Sequence, residues 1–212
     1  SASPTGKVAI GRRILSARRL NRICVFCGSQ VGARQEYTSA AVALGTLLAQ
    51  SGIGLVYGGG KIGLMGVVAD AALAAGGAVI GVIPERLMNR ELGHGGVTDL
   101  RVVGSMHERK ALMSELSDAF VALPGGYGTF EELFEVVTWS QLGIQDKPCG
   151  LLNVDGYYDT LLALLDHAAQ EAFIRPQHRG LVLVDTDPAG LLRQFEAFRA
   201  PLVEKWLERD QT

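Results

Sequence analysis

Three glycine-rich loops are the clearest sign of a ligand site in this sequence. They are Cys27-Gly-Ser-Gln30, Gly58-Gly-Gly-Lys61 and Pro124-Gly-Gly-Tyr-Gly-Thr129, and each separates an apolar run from a helical pattern. Glycine lets backbone N–H groups come close to a phosphate, and the first turn of a following helix adds unpaired N–H groups and a partial positive charge. The loops therefore predict an anion site. We expect it to use amides and hydroxyls from Ser29, Gly59, Gly60, Gly125, Gly126, Gly128 and Thr129.

Two neighbouring cations interrupt the apolar stripe of a predicted helix. Arg109 and Lys110 fall three and four residues after Met106, and Ser105 with Glu108 forms a capping box that fixes the helix start. An unpaired cation is costly to bury. Either both side chains extend their charged ends to water, or the stripe faces a cleft in which they meet an anion.

An acidic residue raises the same question on the next helix. Thr129-x-x-Glu132 is also a capping box, which predicts a helix start at Thr129. Spacing predicts a core stripe of Phe130, Leu133, Phe134 and Val137, and a second stripe of Glu132, Val136, Trp139 and Gly143. A helix that is apolar on two sides has a second burial partner. Glu132 therefore either serves as a cap alone or lies at a cleft or interface.

Other motifs for nucleotide, metal or redox chemistry are incomplete. Gly58-x-Gly60-x-x-Gly63, with Glu85 about 20 residues on, formally matches a dinucleotide fingerprint, but it lies in the second strand–helix unit. A Walker loop fails because Ile62 follows Lys61 where a hydroxyl is needed.

The cysteine and histidine spacings predict neither a redox pair nor a metal site. Cys24 and Cys27 are three apart on a predicted strand, so they should point to opposite faces, and no second ligand pair accompanies them. We therefore expect no metal and no cofactor. A small, odd number of cysteines indicates reduced thiols, which is typical of a cytoplasmic protein.

Short apolar runs alternate with helical patterns from residue 21 onward. Predicted strands are Ile23–Cys27, Ile53–Tyr57, Ala78–Ile83, Leu100–Val103, Ala119–Leu123, Cys149–Asn153 and Leu181–Val184. Predicted helices are Gln35–Gln50, Gly63–Ala75, Ser105–Leu116, Thr129–Leu142, Tyr157–Ala169 and Ala189–Arg199. The strand runs lack polar alternation, as in parallel strands covered on both faces. The pattern predicts an α/β, Rossmann-like fold with a doubly wound, mostly parallel sheet, whose ligand binds at the carboxyl ends of the strands.

Length and charge limit the remaining function classes. The 212 residues suit one domain over residues 21–212, preceded by a flexible basic segment over residues 1–20. A net charge of −2 gives no basic field for nucleic acid, and no apolar run approaches the roughly 20 residues of a membrane span. We therefore expect neither a nucleic acid nor a membrane as partner.

Two of these motifs resemble a known enzyme family. Pro124-Gly-Gly-Tyr-Gly-Thr-Phe-Glu-Glu132 and Met106-His-Glu-Arg-Lys110 are similar to the paired signatures of the LONELY GUY cytokinin-activating phosphoribohydrolases, formerly labelled lysine decarboxylases. Tyr57-Gly-Gly-Gly60 and Gly63-Leu-Met-Gly66 are also similar to that family. The resemblance extends from about Arg22 to Val184.

The resemblance implies an activity and a set of site residues. The reaction would hydrolyse the N-glycosidic bond of a nucleoside 5′-monophosphate, such as N6-isopentenyladenosine monophosphate or AMP, to free base and ribose 5-phosphate. Arg109 and Glu132 match the family's catalytic pair. Residues that match its substrate contacts are Glu91, Lys110, Gly126, Tyr127, Gly128, Thr129, Phe130, Glu131 and Thr138. The family forms homodimers or larger homo-oligomers, with the site near the subunit contact.

Two rival functions follow from the same residues. A non-catalytic carrier of a nucleotide or of a pterin phosphate such as the molybdenum cofactor would have a similar fold, but it would not need both Arg109 and Glu132. A pyridoxal decarboxylase would need a Schiff-base lysine, for which Lys61 and Lys110 are candidates by position only.

Overall fold

The computed structural model describes residues 18–88 and 93–201 of the chain. Residues 1–17, which form most of the predicted basic segment, and the predicted substrate contact Glu91 lie outside the described residues. Arg18, near the end of that segment, donates from its guanidinium to the Asp146 carboxylate at 3.1 Å and from its amide to the Glu196 carbonyl at 3.2 Å.

The described residues form seven strands and seven α-helices, which alternate along most of the chain. The strands are β1 (Arg22–Phe26), β2 (Gly54–Tyr57), β3 (Val79–Pro84), β4 (Asp99–Val103), β5 (Ala119–Ala122), β6 (Cys149–Leu152) and β7 (Val182–Asp185). The helices are α1 (Gln35–Gln50), α2 (Gly63–Ala74), α3 (Met106–Glu115), α4 (Tyr127–Gln141), α5 (Asp159–Gln170), α6 (Pro176–Arg179) and α7 (Pro188–Ala197). Two short 3-10 turns, Glu85–Leu87 and Val154–Gly156, follow β3 and β6.

The strands form one parallel sheet in the order β4-β3-β2-β1-β5-β6-β7. The chain first winds from β1 towards β4 and then starts again on the other side of β1 with β5. Val25 of β1 is therefore paired with Tyr57 of β2 on one side and with Val121 of β5 on the other. The predicted doubly wound α/β fold is confirmed. Its topological switch point, where a crevice for ligands opens, lies between β1 and β5.

Each face of the sheet carries its own hydrophobic core. Alternate residues of β1 point to opposite cores: Ile23 and Val25 join the core under α1, α2 and α7, whereas Cys24 and Phe26 join the core with α4 and α5. Cys27 belongs to the first core, so the two thiols of the Cys-x-x-Cys motif lie on opposite faces, as predicted. The motif therefore forms no redox or metal pair.

Helix ends follow the sequence signals in most places. Gly52, Gly76 and Gly143 come directly after helices with φ of 68°, 79° and 71°, the left-handed conformation that favours glycine. The capping box of α3 is present: the Ser105 hydroxyl accepts from the Glu108 amide at 3.2 Å.

Two helix predictions were wrong. No helix had been expected at α6, whose four residues are too few to show a periodic pattern. α4 begins at Tyr127 with Gly126 as its N-cap, so Thr129 lies inside the first turn and does not cap it. Its fully buried face also differs from the predicted core stripe, because it consists of Thr129, Leu133, Val136 and Ser140. Phe130, Phe134 and Val137 are only partly buried.

Candidate active site

A cleft of about 240 Å³ opens at the carboxyl ends of β1, β2 and β5, at the topological switch point. Its floor comes from the ends of the strands and their loops, and its walls come from α2, α3 and the start of α4. The lining residues are Val25, Cys27, Gly28, Ser29, Gly58, Met65, Leu87, Met106, Arg109, Gly126, Tyr127, Gly128, Thr129, Glu131 and Glu132. Residues of the two signatures at 106–110 and 124–132 therefore line one cavity together with residues at the end of β1, which is distant from both in sequence.

The N-terminus of α4 forms one wall of this cleft. Gly126, the N-cap, has extended backbone angles and no side chain caps the first turn. Gly126, Gly128 and the buried Thr129 line the cavity. The preceding residue must be glycine, because a Cβ on Gly125 would lie 2.1 Å from Oγ1 of Thr129. The first-turn amides and the partial positive charge of the helix suit an anionic group.

Arg109 reaches the cleft from α3 and is only 5% exposed. Its Nε donates to the Val82 carbonyl at 3.1 Å and its Nη2 donates to the Gly58 carbonyl at 2.7 Å. These bonds to the ends of β2 and β3 satisfy part of the guanidinium and fix its position. Arg109 therefore faces a cleft, as predicted, and does not extend to water; that it meets a bound anion there stays a prediction.

Glu132 lines the same cleft from the second turn of α4. Its charge and that of Arg109 act on the same thiol: burial raises the pKa of Cys27 well above the ordinary value, the carboxylate of Glu132 raises it further, and Arg109 lowers it. The pKa of Cys24 is likewise raised by burial and by Glu132 and lowered by Arg109. Acid and guanidinium therefore lie together near the end of β1.

Several predicted substrate contacts lie outside this cleft in the single chain. The Lys110 ammonium binds the carboxylates of Glu131 and, at 3.0 Å, Glu135. The Thr138 hydroxyl is exposed and donates to the Phe134 carbonyl. The ring of Phe130 packs edge-on against Tyr158. Gly59 and Gly60 are buried behind Gly58, and Gly125 lines a neighbouring cavity of about 270 Å³.

The cleft also has an apolar side formed by Met65, Leu87 and Met106. Of these, only Met106 had been expected at a cleft, through its helical stripe. The need for glycine at position 58 was not predicted either: a Cβ there would lie 2.1 Å from Nη2 of Arg109. No periodic pattern distinguishes Met65, Leu87 or Gly58 from ordinary core or loop positions.

The incomplete dinucleotide fingerprint does not form a pyrophosphate site, because the loop after β1 packs against the N-terminus of α2. A Cβ on Gly63 would lie 2.2 Å from the Ser29 carbonyl carbon, and the Leu64 amide donates to the Gly28 carbonyl at 3.0 Å. The loop after β1 therefore covers the place where a pyrophosphate would bind.

The decarboxylase candidates also lack a suitable setting. Burial lowers the pKa of Lys110, but its bonds to Glu131 and Glu135 outweigh this and raise the pKa above the ordinary value. A Schiff-base lysine must lose its proton, so this shift opposes that chemistry. Lys61 is exposed and is not among the cleft residues.

The described residues show neither a metal cluster nor a membrane span. Across 18–88 and 93–201, no three His, Cys, Asp or Glu side chains are grouped so that they could hold a metal ion. In the same part of the chain, no helix combines the length and the apolar character needed to cross a bilayer.

Fold and cleft together define a class: a doubly wound α/β protein in which a helix N-terminus, an acid and a guanidinium line one cleft at the switch point. Sequence comparison then identifies the family. A family model described as "Possible lysine decarboxylase" matches residues 65–195. A probable cytokinin riboside 5′-monophosphate phosphoribohydrolase of Oryza sativa subsp. japonica is 56% identical over 180 residues, which is 85% of this chain and 79% of the relative. A cytokinin riboside 5′-monophosphate phosphoribohydrolase of Arabidopsis thaliana is 53% identical over 187 residues, 88% of this chain and 86% of the relative.

The chain belongs to the family of cytokinin riboside 5′-monophosphate phosphoribohydrolases. The resemblance inferred from residues 106–110 and 124–132 is thereby confirmed. Solved structures with the same fold include the molybdenum cofactor binding protein of Rippkaea orientalis, with a TM-score of 0.64 and 24% identity over 84% of this chain and 97% of the other. The Moco carrier protein of Chlamydomonas reinhardtii has a TM-score of 0.62 and 26% identity over 82% and 94% of the two chains.

Proposed function

We propose that this protein hydrolyses the N-glycosidic bond of a nucleoside 5′-monophosphate and releases the free base and ribose 5-phosphate. The substrates are a cytokinin ribotide, such as N6-isopentenyladenosine monophosphate, and AMP. The observation that carries the proposal is the meeting of Arg109, Glu132 and the first turn of α4 in one cleft. The activity named for relatives at 51–56% identity supports it.

The 5′-phosphate binds at the start of α4. The amides that follow Gly126 and the hydroxyls of Ser29 and Thr129 are the donors on this side of the cleft. A dianion there is stabilised by the positive end of the helix as well as by hydrogen bonds. The phosphate thereby fixes the ribose at a set distance from Glu132, which lies one turn further along α4.

Glu132 acts on the ribose carbon that carries the base. As the C1′–N bond breaks, its electron pair leaves with the base and positive charge develops on the ribose ring, as in other glycoside hydrolysis. The carboxylate stabilises this charge and accepts a proton from the attacking water, whose oxygen forms the new bond to C1′. The departing base nitrogen takes up a proton, so free base and ribose 5-phosphate result.

Arg109 orients the carboxylate of Glu132. Its guanidinium is held by the Gly58 and Val82 carbonyls, which leaves little freedom for its remaining N–H groups. A fixed cation next to an acid holds the acid in one orientation without any metal. Both groups line the same cleft, and both lie close enough to the Cys27 thiol to influence its pKa.

The base lies against the apolar side of the cleft. Met65, Leu87 and Met106 offer thioether and aliphatic surface there. Methionine side chains adapt to planar and irregular apolar groups. This surface supports a purine with an apolar N6 substituent as a substrate alongside AMP.

A carrier function would use the same fold without hydrolysis. Its structural examples share 24–26% identity with this chain, about half the identity of the phosphoribohydrolases, so we favour the enzyme. The test is to incubate the purified protein with a panel of nucleoside monophosphates and to measure free base and ribose 5-phosphate by chromatography. Equimolar release of both products is expected. Retention of intact nucleotide without release would favour a carrier.

We propose further that the protein is a cytoplasmic homodimer or larger homo-oligomer and that residues 21–212 form its single catalytic domain. Tyr127 at the cleft is 93% exposed, and Leu142 and Ile144 beyond the end of α4 are also exposed. Tyr127 lies at the cleft, whereas Leu142 and Ile144 lie at the opposite end of α4. Exposed apolar groups at both ends of this helix support a subunit contact along it. Sedimentation of the purified protein measures the number of subunits.

A further inference from the structure

The three carbonyl groups that lead into α4 are all bound by donors from other parts of the chain. The Leu123 carbonyl accepts from the Tyr158 hydroxyl at 2.6 Å, and the Pro124 carbonyl accepts from the Gly28 amide at 3.1 Å. The Gly125 carbonyl accepts from the Tyr157 hydroxyl at 2.5 Å. The loop that presents the first-turn amides to the cleft is therefore held at three consecutive peptides.

Two of the three donors are adjacent tyrosines that follow β6. A 3-10 turn over Val154–Gly156 directs them, with Asp155 and Gly156 in the left-handed conformation at φ of 49° and 71°. The carboxylate of Asp155 binds Arg34, the N-cap residue of α1. The Asn153 side chain accepts from the Tyr158 amide at 2.8 Å. The side chains of Asn153 and Asp155 therefore both contribute to holding this turn in place.

The hydroxyls of the two tyrosines donate to carbonyl groups at different positions in the loop. Tyr158 is 1% exposed, lies in the core and binds the last residue before the loop, next to β5. Burial raises its pKa far above the ordinary value, so the hydroxyl stays a donor. Tyr157 is half-buried, packs edge-on against Tyr37, and binds Gly125, the residue directly before the N-cap of α4.

The position of Gly125 explains why its peptide needs an external donor. The peptide joins two glycines, Gly125 and Gly126, which together have the widest backbone freedom in the loop. Rotation of this peptide would change the backbone angles at Gly126, the N-cap of α4, and so redirect the first-turn amides that follow it away from the cleft. The hydrogen bond from the Tyr157 hydroxyl to the Gly125 carbonyl opposes this rotation.

We propose that Tyr157 is a positioning residue, which sets the phosphate-binding conformation of the Gly125–Gly126 peptide before the nucleotide binds. The inference rests on the proposed function for the identity of the phosphate group. A loop already in its bound conformation loses less conformational freedom on binding. The effect of Tyr157 therefore falls on binding of the phosphate and not on cleavage of the glycosidic bond.

The substitution Tyr157→Phe removes the hydroxyl and keeps the ring. A hydrogen bond of this kind contributes about 1 kcal/mol, so we expect the KM for AMP and the Kd for ribose 5-phosphate to rise about three- to tenfold. We expect kcat to stay within about twofold and the affinity for free adenine, which lacks the phosphate, to stay unchanged. Isothermal calorimetry and steady-state kinetics measure these values.

Tyr158→Phe is the matched control, because it removes the same group from the neighbouring tyrosine. Its bond lies in the core and away from the helix start, so we expect a lower Tm with KM and Kd close to those of the wild type. The proposal is overturned if Tyr157→Phe leaves the Kd for ribose 5-phosphate unchanged, if it lowers kcat alone, or if both variants weaken binding equally.

The same experiment separates this inference from the proposed function. A wild type that binds ribose 5-phosphate and releases no base contradicts the hydrolase, whereas the binding ratio of wild type to Tyr157→Phe still tests the positioning role. A wild type that fails to bind ribose 5-phosphate overturns both.

Discussion

Replacing Gly58 by alanine displaces the guanidinium of Arg109 without changing any charged group. The added methyl carbon would lie 2.1 Å from Nη2 of Arg109, whereas ordinary contacts begin at 3.4 Å. The guanidinium must therefore move by about 1.3 Å, the difference between these distances, and lose its 2.7 Å bond to the Gly58 carbonyl. A misplacement of about 1 Å in a catalytic site can cost about 100-fold in rate. We expect kcat/KM of Gly58→Ala to fall by about that factor.

We expect the same variant to lose stability as well. A lost hydrogen bond from a charged donor costs about 1.5–3 kcal/mol, and for a chain of this size 2 kcal/mol lowers Tm by roughly 4–8 °C. Kinetics and thermal unfolding on the same preparation measure both effects. Gly95→Ala is the matched control, because its added carbon would have no heavy atom within 4 Å, and it should behave like the wild type. A folded Gly58→Ala protein with kcat/KM within about threefold of the wild type would refute the role given to Arg109.

Three further outcomes follow from buried and hydrogen-bonded groups. All three cysteines are buried, and burial raises the pKa of each thiol, to about 12 for Cys149. A thiol reagent at about pH 8 should therefore modify them only after the protein unfolds. Rapid reaction of the native protein would contradict this expectation. The Asp187 amide, with the Gln194 side chain, holds the pKa of Asp185 below the ordinary 3.8. A carboxylate whose pKa is lower in the folded than in the unfolded state stabilises the fold at pH values above the unfolded-state pKa. Asp185→Asn should therefore lower Tm at neutral pH, and the Tm difference from the wild type should shrink as pH falls through the folded-state pKa. A Tm difference that stays constant with pH would contradict this. In Gly150→Ala the added carbon would lie 2.7 Å from Leu191 and 2.8 Å from Phe195, so urea unfolding should show a loss of about 1–3 kcal/mol with kcat unchanged, and an unshifted midpoint would contradict it.

The fold could be predicted from the sequence because the strand patterns and the helix-end signals indicate the same arrangement of elements. The strand runs are apolar on both faces, and glycines in the left-handed conformation follow three of the helices. These signals are local, so they require no knowledge of tertiary contacts. The ends of the strands then bring the glycine loops to one edge of the sheet, where the cleft lies.

The orientation of individual side chains was harder to predict. Arg109 and Lys110 are neighbours in sequence, yet one helical residue turns the side chain by about 100°. Arg109 therefore enters the cleft, whereas Lys110 binds Glu131 and Glu135 on α4. Only the packing of α3 against the sheet and α4 decides between these directions, and no periodic pattern contains that information.

The start of α4 was misplaced for a different reason. The capping box at Thr129 is a real local signal, but Gly126 adopts an extended conformation and the helix begins one residue later, at Tyr127. The bonds that hold this loop come from Gly28 and from two tyrosines more than 30 residues away. Such long-range donors override a local preference.

A single-turnover comparison of the wild type with Glu132→Gln tests whether Glu132 drives glycosidic cleavage. Each protein, in excess over N6-isopentenyladenosine monophosphate, is mixed with the nucleotide and quenched, and free base and ribose 5-phosphate are quantified. We expect the wild type to release both products in equal amounts, whereas Glu132→Gln should bind the nucleotide with similar affinity and release base at least about 1,000-fold more slowly. Release by Glu132→Gln at the wild-type rate would show that Glu132 takes no part in cleavage.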